Sequence, residues 1–177
     1  MKKILIITVT LLFIVIIIYN NSPHRNIITK TYVQELIGVD KEILNYREYD
    51  NLLTVFFRNS QNNLGFSIYK ENMLGKHNLV QSSNQFKNLF KGTLTRINKK
   101  YYLLIVGIKK NAEQLNLEYY RLNEPTLSNS FNFQLQDDYY IIIKEIKDRI
   151  TAHVELEQFY TFYDEQGNDI TSKFIDE

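Results

Sequence analysis

The sequence has 177 residues, of which 44% are hydrophobic and 23% charged, so it can form one domain with a substantial core and is not a disordered chain. Without Lys2 and Lys3, the 21 basic residues fall to 19 against 20 acidic ones, and this net charge of −1 excludes the basic field with which proteins attract nucleic acids. The chain contains no Cys, which excludes disulfides, thiolate metal sites and a Cys nucleophile.

The first predicted element is the apolar run over residues 4–19, which follows the basic start of residues 1–3. The run contains no charged residue, and its sixteen positions span about 24 Å as a helix, slightly less than a ~30 Å hydrocarbon core. No Ala or Gly precedes Asn26, whereas signal peptidase cleaves after small residues of the A-x-A type. We therefore predict an uncleaved transmembrane anchor whose partner is the lipid bilayer. The alternative is a secreted protein that is cleaved near Ser22.

Basic residues predict how this anchor is oriented in the cell membrane. Lys2 and Lys3 lie before the span, and the positive-inside rule then places the N-terminus inside and the remaining chain outside. Arg25 follows the span and weakens this contrast without reversing it. We predict a single-pass protein with a polar tether over residues 20–30 and an extracytoplasmic domain over residues 31–177.

The domain begins with a predicted helix over residues 31–40, where apolar residues recur at helical spacing and Gly38 ends the pattern. The period then changes to two. Residues 52–58 (LLTVFFR) and 64–70 (LGFSIYK) flank the turn sequence NSQNN, which predicts a hairpin. Residues 77–81 are predicted to add a third strand.

The rest of the chain is predicted to contain one more helix and two more hairpins. Phe and Leu residues at helical spacing predict the helix over residues 84–91. Residues 100–110 are predicted to pair with 115–122 across NAEQ, and residues 139–146 with 152–163 across KDR. The run YYLLIVGI in the first of these segments is apolar on both faces, which predicts a central strand.

The strand count determines the predicted fold class. Eight to ten short strands with one to three helical turns predict a mainly β (β-rich α+β) fold, in which an antiparallel sheet curls into a sandwich or an open barrel behind an N-terminal transmembrane helix. The tail from Asp169 is predicted to form a turn of helix that packs Ile170 and Phe174.

No stretch of the sequence carries a complete catalytic or metal-binding pattern. The segment FYDEQGNDIT has the composition of a calcium loop, but Gly167 comes too early after Asp164, and a turn is the simpler interpretation. His153 shares a predicted strand face with two glutamates, for which a solvated polar face is the simpler interpretation. We therefore assign no catalytic, metal-binding or cofactor-binding residue.

Paired aromatic residues recur on four predicted strands, with one ring on each face. One member of each pair points away from any single core, and aligned outward rings form an amphipathic surface of the kind found at interfaces. The candidate interaction surface consists of Tyr102, Tyr120, Tyr140 and Tyr163. Cross-strand packing beneath loops or helices is the alternative.

The basic and apolar start is combined with the segments NLGFSIYKENMLGKHNL, YYLLIVGIKKN and FYDEQGNDIT. In this combination the chain resembles the small exported, single-anchor proteins of unknown function from low-GC Gram-positive bacteria. The resemblance spans most of the chain and implies export and anchoring. It implies no activity and no catalytic residues.

The sequence thus favours a membrane-tethered extracytoplasmic β domain that binds an unknown protein or a component of the cell envelope. One alternative is a small hydrolase or metal-dependent enzyme in which His77 and His153 converge with nearby carboxylates. Another alternative is a carrier of a small ligand or lipid, which requires a sizeable apolar cavity inside a barrel.

Overall fold

The computed structural model describes residues 28–86, 88–121, 124–146 and 156–175, with side chains for all of these except residue 156 and those within 121–128. The predicted anchor over residues 4–19 lies outside the described part of the chain. Within that part, no helix has the length and apolar character needed to cross a bilayer.

The described chain is mainly β, as predicted, with an α-helix at its start and a 3-10 helix at its end. The elements follow in this order: α1 (Lys30–Ile37), β1 (Glu42–Tyr49), β2 (Leu52–Arg58), β3 (Leu64–Glu71), β4 (His77–Phe86), β5 (Phe90–Ile97), β6 (Lys100–Ile108), β7 (Gln114–Arg121), β8 (Glu124–Gln134), β9 (Tyr139–Ile146), β10 (Leu156–Tyr163) and the 3-10 helix (Thr171–Lys173). The strand pairs are antiparallel.

Strands β1 to β4 form the first sheet as an antiparallel meander in the order β1-β2-β3-β4. The predicted hairpin is confirmed, since β2 and β3 pair from Leu52 with Lys70 to Arg58 with Leu64. The predicted third strand is confirmed as β4. Strand β1 was not predicted, because its sequence EILNYREY is largely polar and only one of its residues is buried.

The helix predicted over residues 84–91 is wrong. Strand β4 continues to Phe86, and β5 begins at Phe90. The ring of Phe86 stacks on Phe56 at 6.1 Å between centroids, whereas Phe90 packs with Phe162 in a different core. A helix would hold both rings on one side, but the two rings serve two separate cores.

The second sheet has the strand order β5-β6-β9, and the third sheet has the order β10-β7-β8. The predicted pairing of residues 100–110 with 115–122 is therefore wrong, because residues 109–113 carry the chain from one sheet to the other. The predicted pairing of residues 139–146 with 152–163 is also wrong. Strand β9 instead pairs with β6, and β10 pairs with β7.

Burial explains why consecutive strands separate in this way. On β6, Leu104 packs toward the first sheet and Ile105 toward the third, so the strand is buried on both faces and fits only a middle layer. On β7, buried Leu115 and Leu117 alternate with polar residues, so the strand has one buried face and fits an outer layer. The prediction that YYLLIVGI forms a central strand is confirmed.

The three sheets stack face to face, with α1 as an additional outer layer. Leu53 packs toward α1, while Phe56 and Leu104 meet between the first and second sheets. Ile105 and Phe162 meet between the second and third sheets. The sheets are antiparallel, as predicted, and are not closed into a barrel. A middle sheet with two apolar faces requires a cover on each side, and stacked layers provide it.

The predicted helix at the start of the domain is confirmed. The Thr29 hydroxyl accepts a hydrogen bond from the backbone N–H of Tyr32 at 3.2 Å and caps the first turn. The helix ends at Gly38, whose φ of 94° is readily adopted by glycine. Val33 and Ile37 are buried against β2 and β3, so packing stabilises this short helix.

The predicted packing of the C-terminal tail is confirmed. Ile170 and Phe174, which flank the 3-10 helix, are buried in the core between the second and third sheets. The Phe174 ring stacks on Phe162 with 4.1 Å between centroids. The tail therefore closes one side of this core.

The stack has two distinct ends, which determine where each surface lies. At the near end, α1 begins and the hairpin turns Asp50–Asn51 and Asn98–Lys99 reverse the chain. The Lys70 ammonium donates a 2.6 Å hydrogen bond to Asn98, which joins the first and second sheets there. At the far end lie the NSQNN turn, the connection 109–113 and the turn that follows β10.

Candidate functional site

The third sheet covers the second sheet with one face and exposes the other. We call the exposed side the outer face; the strand register places on it Gln114, Asn116, Glu118 and Tyr120 of β7, Ser130, Asn132 and Gln134 of β8, and Glu157, Phe159, Thr161 and Tyr163 of β10. Neutral amides and hydroxyls make up about half of these residues. The outer face is therefore a polar sheet surface with a few aromatic rings.

The rings of Tyr120 and Phe159 are in contact on this face, with 4.9 Å between their centroids. Tyr120 lies opposite Glu157, and Phe159 lies opposite Glu118, so the two rings are diagonal neighbours on adjacent strands. Phe159 is 47% exposed, so its ring is accessible from solvent. The two rings are tilted by 30° to each other and form a small apolar platform within the polar surface.

The pKa of the Tyr120 hydroxyl is raised above its ordinary value of 10.0. Burial of the hydroxyl raises its pKa, and the negative charges of Glu157 and Glu118 raise it further. Tyr120 therefore retains a proton to donate at physiological pH.

Amide side chains form cross-strand hydrogen bonds on the same face as this platform. The Gln114 amide donates to Asn132 at 3.2 Å, and the Ser130 hydroxyl donates to Asn116 at 3.0 Å. Each amide has two donor hydrogens and two acceptor lone pairs, so these bonds orient the groups and leave capacity for a ligand. The face therefore offers oriented donors and acceptors without a buried charge.

A polar cleft of about 490 Å³ continues the outer face at the far end. Its lining consists of Glu113, Gln114, Gln134, Asp164, Glu165 and Gly167. The Asp164 carboxylate accepts hydrogen bonds from the backbone N–H groups of Gln166 and Asn168, and a hydrogen bond from the Asn168 side chain lowers its pKa most. Asp164 thus holds a turn, as the sequence indicated. Within the described residues, no cluster of three or more His, Asp or Glu side chains is placed to hold a metal ion.

The four predicted surface tyrosines are divided between the surface and the interior. Tyr120 and Tyr163 lie on the outer face and are partly buried. Tyr102 and Tyr140 are each only 3% exposed. The candidate interaction surface therefore depends on Tyr120 and Tyr163, together with Phe159, which was not among the four predicted residues.

The residues of the proposed enzymatic alternative are only partly described. The His77 Nδ1 atom lies 2.8 Å from the Tyr32 hydroxyl at the near end, where the two rings also make an edge contact. His153 lies outside the described residues. A convergence of these two histidines stays a prediction.

Comparison of the chain with protein-family models, with curated proteins and with solved structures gives no match. The resemblance to exported Gram-positive proteins therefore stays a prediction. The features that the molecule itself provides are a layered β fold and an amide-rich outer face that carries an exposed aromatic pair.

Proposed function

We propose that this protein is a membrane-tethered extracytoplasmic binding module whose outer face recognises a neutral polysaccharide of the cell envelope. The apolar run over residues 4–19 supplies the tether, and the absence of Ala and Gly before Asn26 supports its retention. The described domain begins at Ile28, only a short polar segment beyond that run.

The single observation that carries the choice of ligand is the contact between Tyr120 and the exposed ring of Phe159. The C–H faces of a sugar ring stack on aromatic rings, and its hydroxyls exchange hydrogen bonds with amides. Oriented amide and hydroxyl groups adjoin the rings along the same strands. The platform and its surroundings thus match the two surfaces of a sugar residue.

Charge favours a neutral polymer over an anionic one. The charged residues of the outer face are Glu118 and Glu157, and both flank the aromatic platform. A polymer rich in phosphate or carboxylate would bring like charges close to these side chains, which weakens association. We therefore expect the face to discriminate against anionic envelope polymers.

The proposal is tested by measuring the binding of the full chain, reconstituted in lipid nanodiscs, to immobilised neutral glucose and N-acetylglucosamine oligomers. Phe159→Ala should weaken binding about ten-fold, the equivalent of roughly 1.4 kcal/mol, because the stacking platform is lost. Tyr49→Ala is the matched control, since Tyr49 is also an exposed aromatic residue, 39% accessible, but lies on the first sheet.

Thermal unfolding of both variants distinguishes lost contact from lost structure. Phe159 is about half exposed, so its replacement should leave the unfolding temperature close to that of the wild type. Wild-type affinity in Phe159→Ala, or equal weakening by Tyr49→Ala, would contradict the assignment of the outer face.

A further inference from the structure

Three turns within the described chain share one architecture: residues 59–63, 72–76 and 164–168. In each turn, the backbone N–H of the first residue donates a hydrogen bond to the carbonyl of the fifth residue. The backbone N–H of the fourth residue donates to the carbonyl of the first, and all of these bonds are 2.8 to 3.0 Å long. The side chain of the first residue, Asn or Asp, accepts hydrogen bonds from the backbone N–H groups of the third and fifth residues. The fourth residue has a positive φ of 64°, 73° or 79°. This shared frame makes the three turns directly comparable.

The frame holds the second and third residues of each turn outward, at its tip. Two of the tips are polar, Ser60–Gln61 and Glu165–Gln166, whereas the third is Met73–Leu74. Met73 is 96% exposed and Leu74 is 68% exposed. Because the same frame forms with polar tips elsewhere in the molecule, folding of the turn does not require this apolar pair. The exposed apolar tip is therefore available for contact with another surface.

The apolar tip and the polar tips lie at opposite ends of the stack. Residues 59–63 and 164–168 are at the far end, whereas residues 72–76 join β3 to β4 at the near end. Helix α1 begins beside the apolar turn, because the Tyr32 hydroxyl in its first turn contacts His77, the first residue of β4, at 2.8 Å. The apolar tip therefore lies at the end where the predicted tether enters the domain.

The reach of the tether limits how far this end can be from lipid. Eight residues, 20–27, separate the predicted anchor from Ile28, and they span at most about 30 Å when fully extended. The near end is thus confined close to the bilayer, and confinement raises the effective concentration of the tip at the lipid surface. Under that condition, a small apolar tip adds to the contact with lipid that the tether already imposes.

Two exposed lysines lie at the near end with the apolar tip. Lys76 follows the apolar tip within its turn, and Lys99 lies at the tip of the β5–β6 turn; both side chains are exposed. Lysines beside an apolar insertion favour anionic headgroups, while the apolar residues enter the acyl boundary.

We propose that the near end rests on the bilayer and that Met73 and Leu74 insert into its interface; this inference rests on the tether of the proposed function. Because β7, β8 and β10 of the third sheet run between the two ends, the outer face then rises from the lipid surface, and the polar cleft at the far end points away from it. Insertion at the tip would hold the binding face in a position that an extended envelope polymer can reach.

The experiment uses the full chain in phosphatidylcholine–phosphatidylglycerol vesicles. The natural sequence contains no Cys, so single variants M73C, S60C and I16C each carry one bimane fluorophore. Ser60 is the matched control, because it occupies the same tip position as Met73 in the far-end turn. Lipid-borne nitroxides report contact with the bilayer, and aqueous iodide reports contact with water.

We expect lipid nitroxides to quench the label at position 73 and aqueous iodide to leave it unquenched. At position 60, we expect iodide to quench the label and lipid nitroxides to leave it unquenched. Adding Leu74→Gln to M73C should reduce the lipid quenching.

Equal iodide quenching at positions 73 and 60, with a lipid-quenched label at position 16, would overturn the insertion and leave the tether intact. Iodide access at position 16 would overturn the tether and the insertion together. Protection at position 73 without lipid quenching would indicate contact with a second protein molecule and would also overturn the insertion.

Discussion

The hydroxyl of Tyr102 donates a 2.6 Å hydrogen bond to the carboxylate of Asp50, and this bond connects β6 in the middle layer to the β1–β2 turn of the first sheet. The Lys100 ammonium contacts the same carboxylate at 3.0 Å and Glu145 at 3.3 Å. The bonds bring two turns and two sheets together at the near end. Tyr102 thus stabilises the junction between layers, and it is not part of an accessible surface.

Tyr102→Phe should destabilise the protein at neutral pH and have less effect in acid. The hydrogen bond from Tyr102, followed by that from Lys100, lowers the pKa of Asp50 below its ordinary value of 3.8. A lowered folded-state pKa means that the stabilisation is complete above the unfolded pKa and is lost as the pH falls through the folded value. Urea unfolding at pH 7 and pH 3 measures the difference between variant and wild type. A difference of the same size at both pH values would contradict this role.

The same tyrosine should produce a loss of stability in alkali. Burial, and then the hydrogen bond to Asp50, raises the pKa of Tyr102 from 10.0 to about 12. Below pH 10 the side chain is neutral in both states and its contribution is complete; between pH 10 and 12 the unfolded chain loses the proton first, which favours unfolding. Stability curves across this window should fall less steeply for Tyr102→Phe than for the wild type. Parallel curves would show that Tyr102 does not titrate in this way.

Tyr140→Phe should have the opposite effect on stability at neutral pH. Tyr140 is as buried as Tyr102, but its hydroxyl has no hydrogen-bond partner among the described residues. An unsatisfied buried hydroxyl costs roughly 1–3 kcal/mol, so we expect its removal to raise the free energy of unfolding by about 1 kcal/mol. Urea denaturation of the two Tyr→Phe variants provides the comparison. A loss of stability in Tyr140→Phe would reveal a partner for this hydroxyl.

Gly107→Ala should destabilise the core between the second and third sheets. Gly107 pairs with Tyr140 across β6 and β9, and a Cβ atom at position 107 would overlap the Tyr140 hydroxyl and lie 2.8 Å from the Cβ of Phe90. Overpacking of this kind costs about 1–3 kcal/mol. Combining Gly107→Ala with Tyr140→Phe should recover more stability than Tyr140→Phe gains in the wild type, because one of the overlapping atoms is removed. Additive effects of the two substitutions would contradict a direct contact.

Local sequence patterns predicted single elements well. Helical spacing before Gly38 predicted α1, and alternation around NSQNN predicted both the β2–β3 hairpin and its turn. In these cases, the residues that determine the structure lie within a few positions of one another. The pairing of β6 with β9 depends on burial across a separation of about thirty residues, which alternation alone does not encode.

The positions of the tyrosines depend on whether their sheet is buried on one face or on both. On a strand with one buried face, an aromatic pair leaves one ring outside, as Tyr119 and Tyr120 do on β7. The second sheet has a core on each face, so Tyr102 and Tyr140 have no outer side to occupy. The apolar character of both faces of YYLLIVGI already carried this information, and it would have removed Tyr102 from the candidate surface.

The platform on the outer face required the tertiary register. Phe159 and Tyr163 are an even number of positions apart on β10, so their side chains point to the same face. Because Tyr160 and Phe162 lie in the core, this face is the outer one. The contact of Phe159 with Tyr120 depends on the pairing of β10 with β7, which no local pattern predicts. The shared frame of the three turns, by contrast, is visible in the sequence as an Asx residue three positions before Gly or Asn.

Photo-crosslinking in intact cells tests the proposed role most directly. A crosslinking residue replaces Asn132 on the outer face in one protein and Asn78 on β4 in the other; both positions are exposed asparagines on strands. After irradiation, we expect the membrane fraction to contain a carbohydrate adduct of the protein with the probe at position 132 and no such adduct with the probe at position 78. Recovery of the protein from the medium, or the absence of an adduct at position 132, would contradict a tethered module that binds envelope polysaccharide through this face.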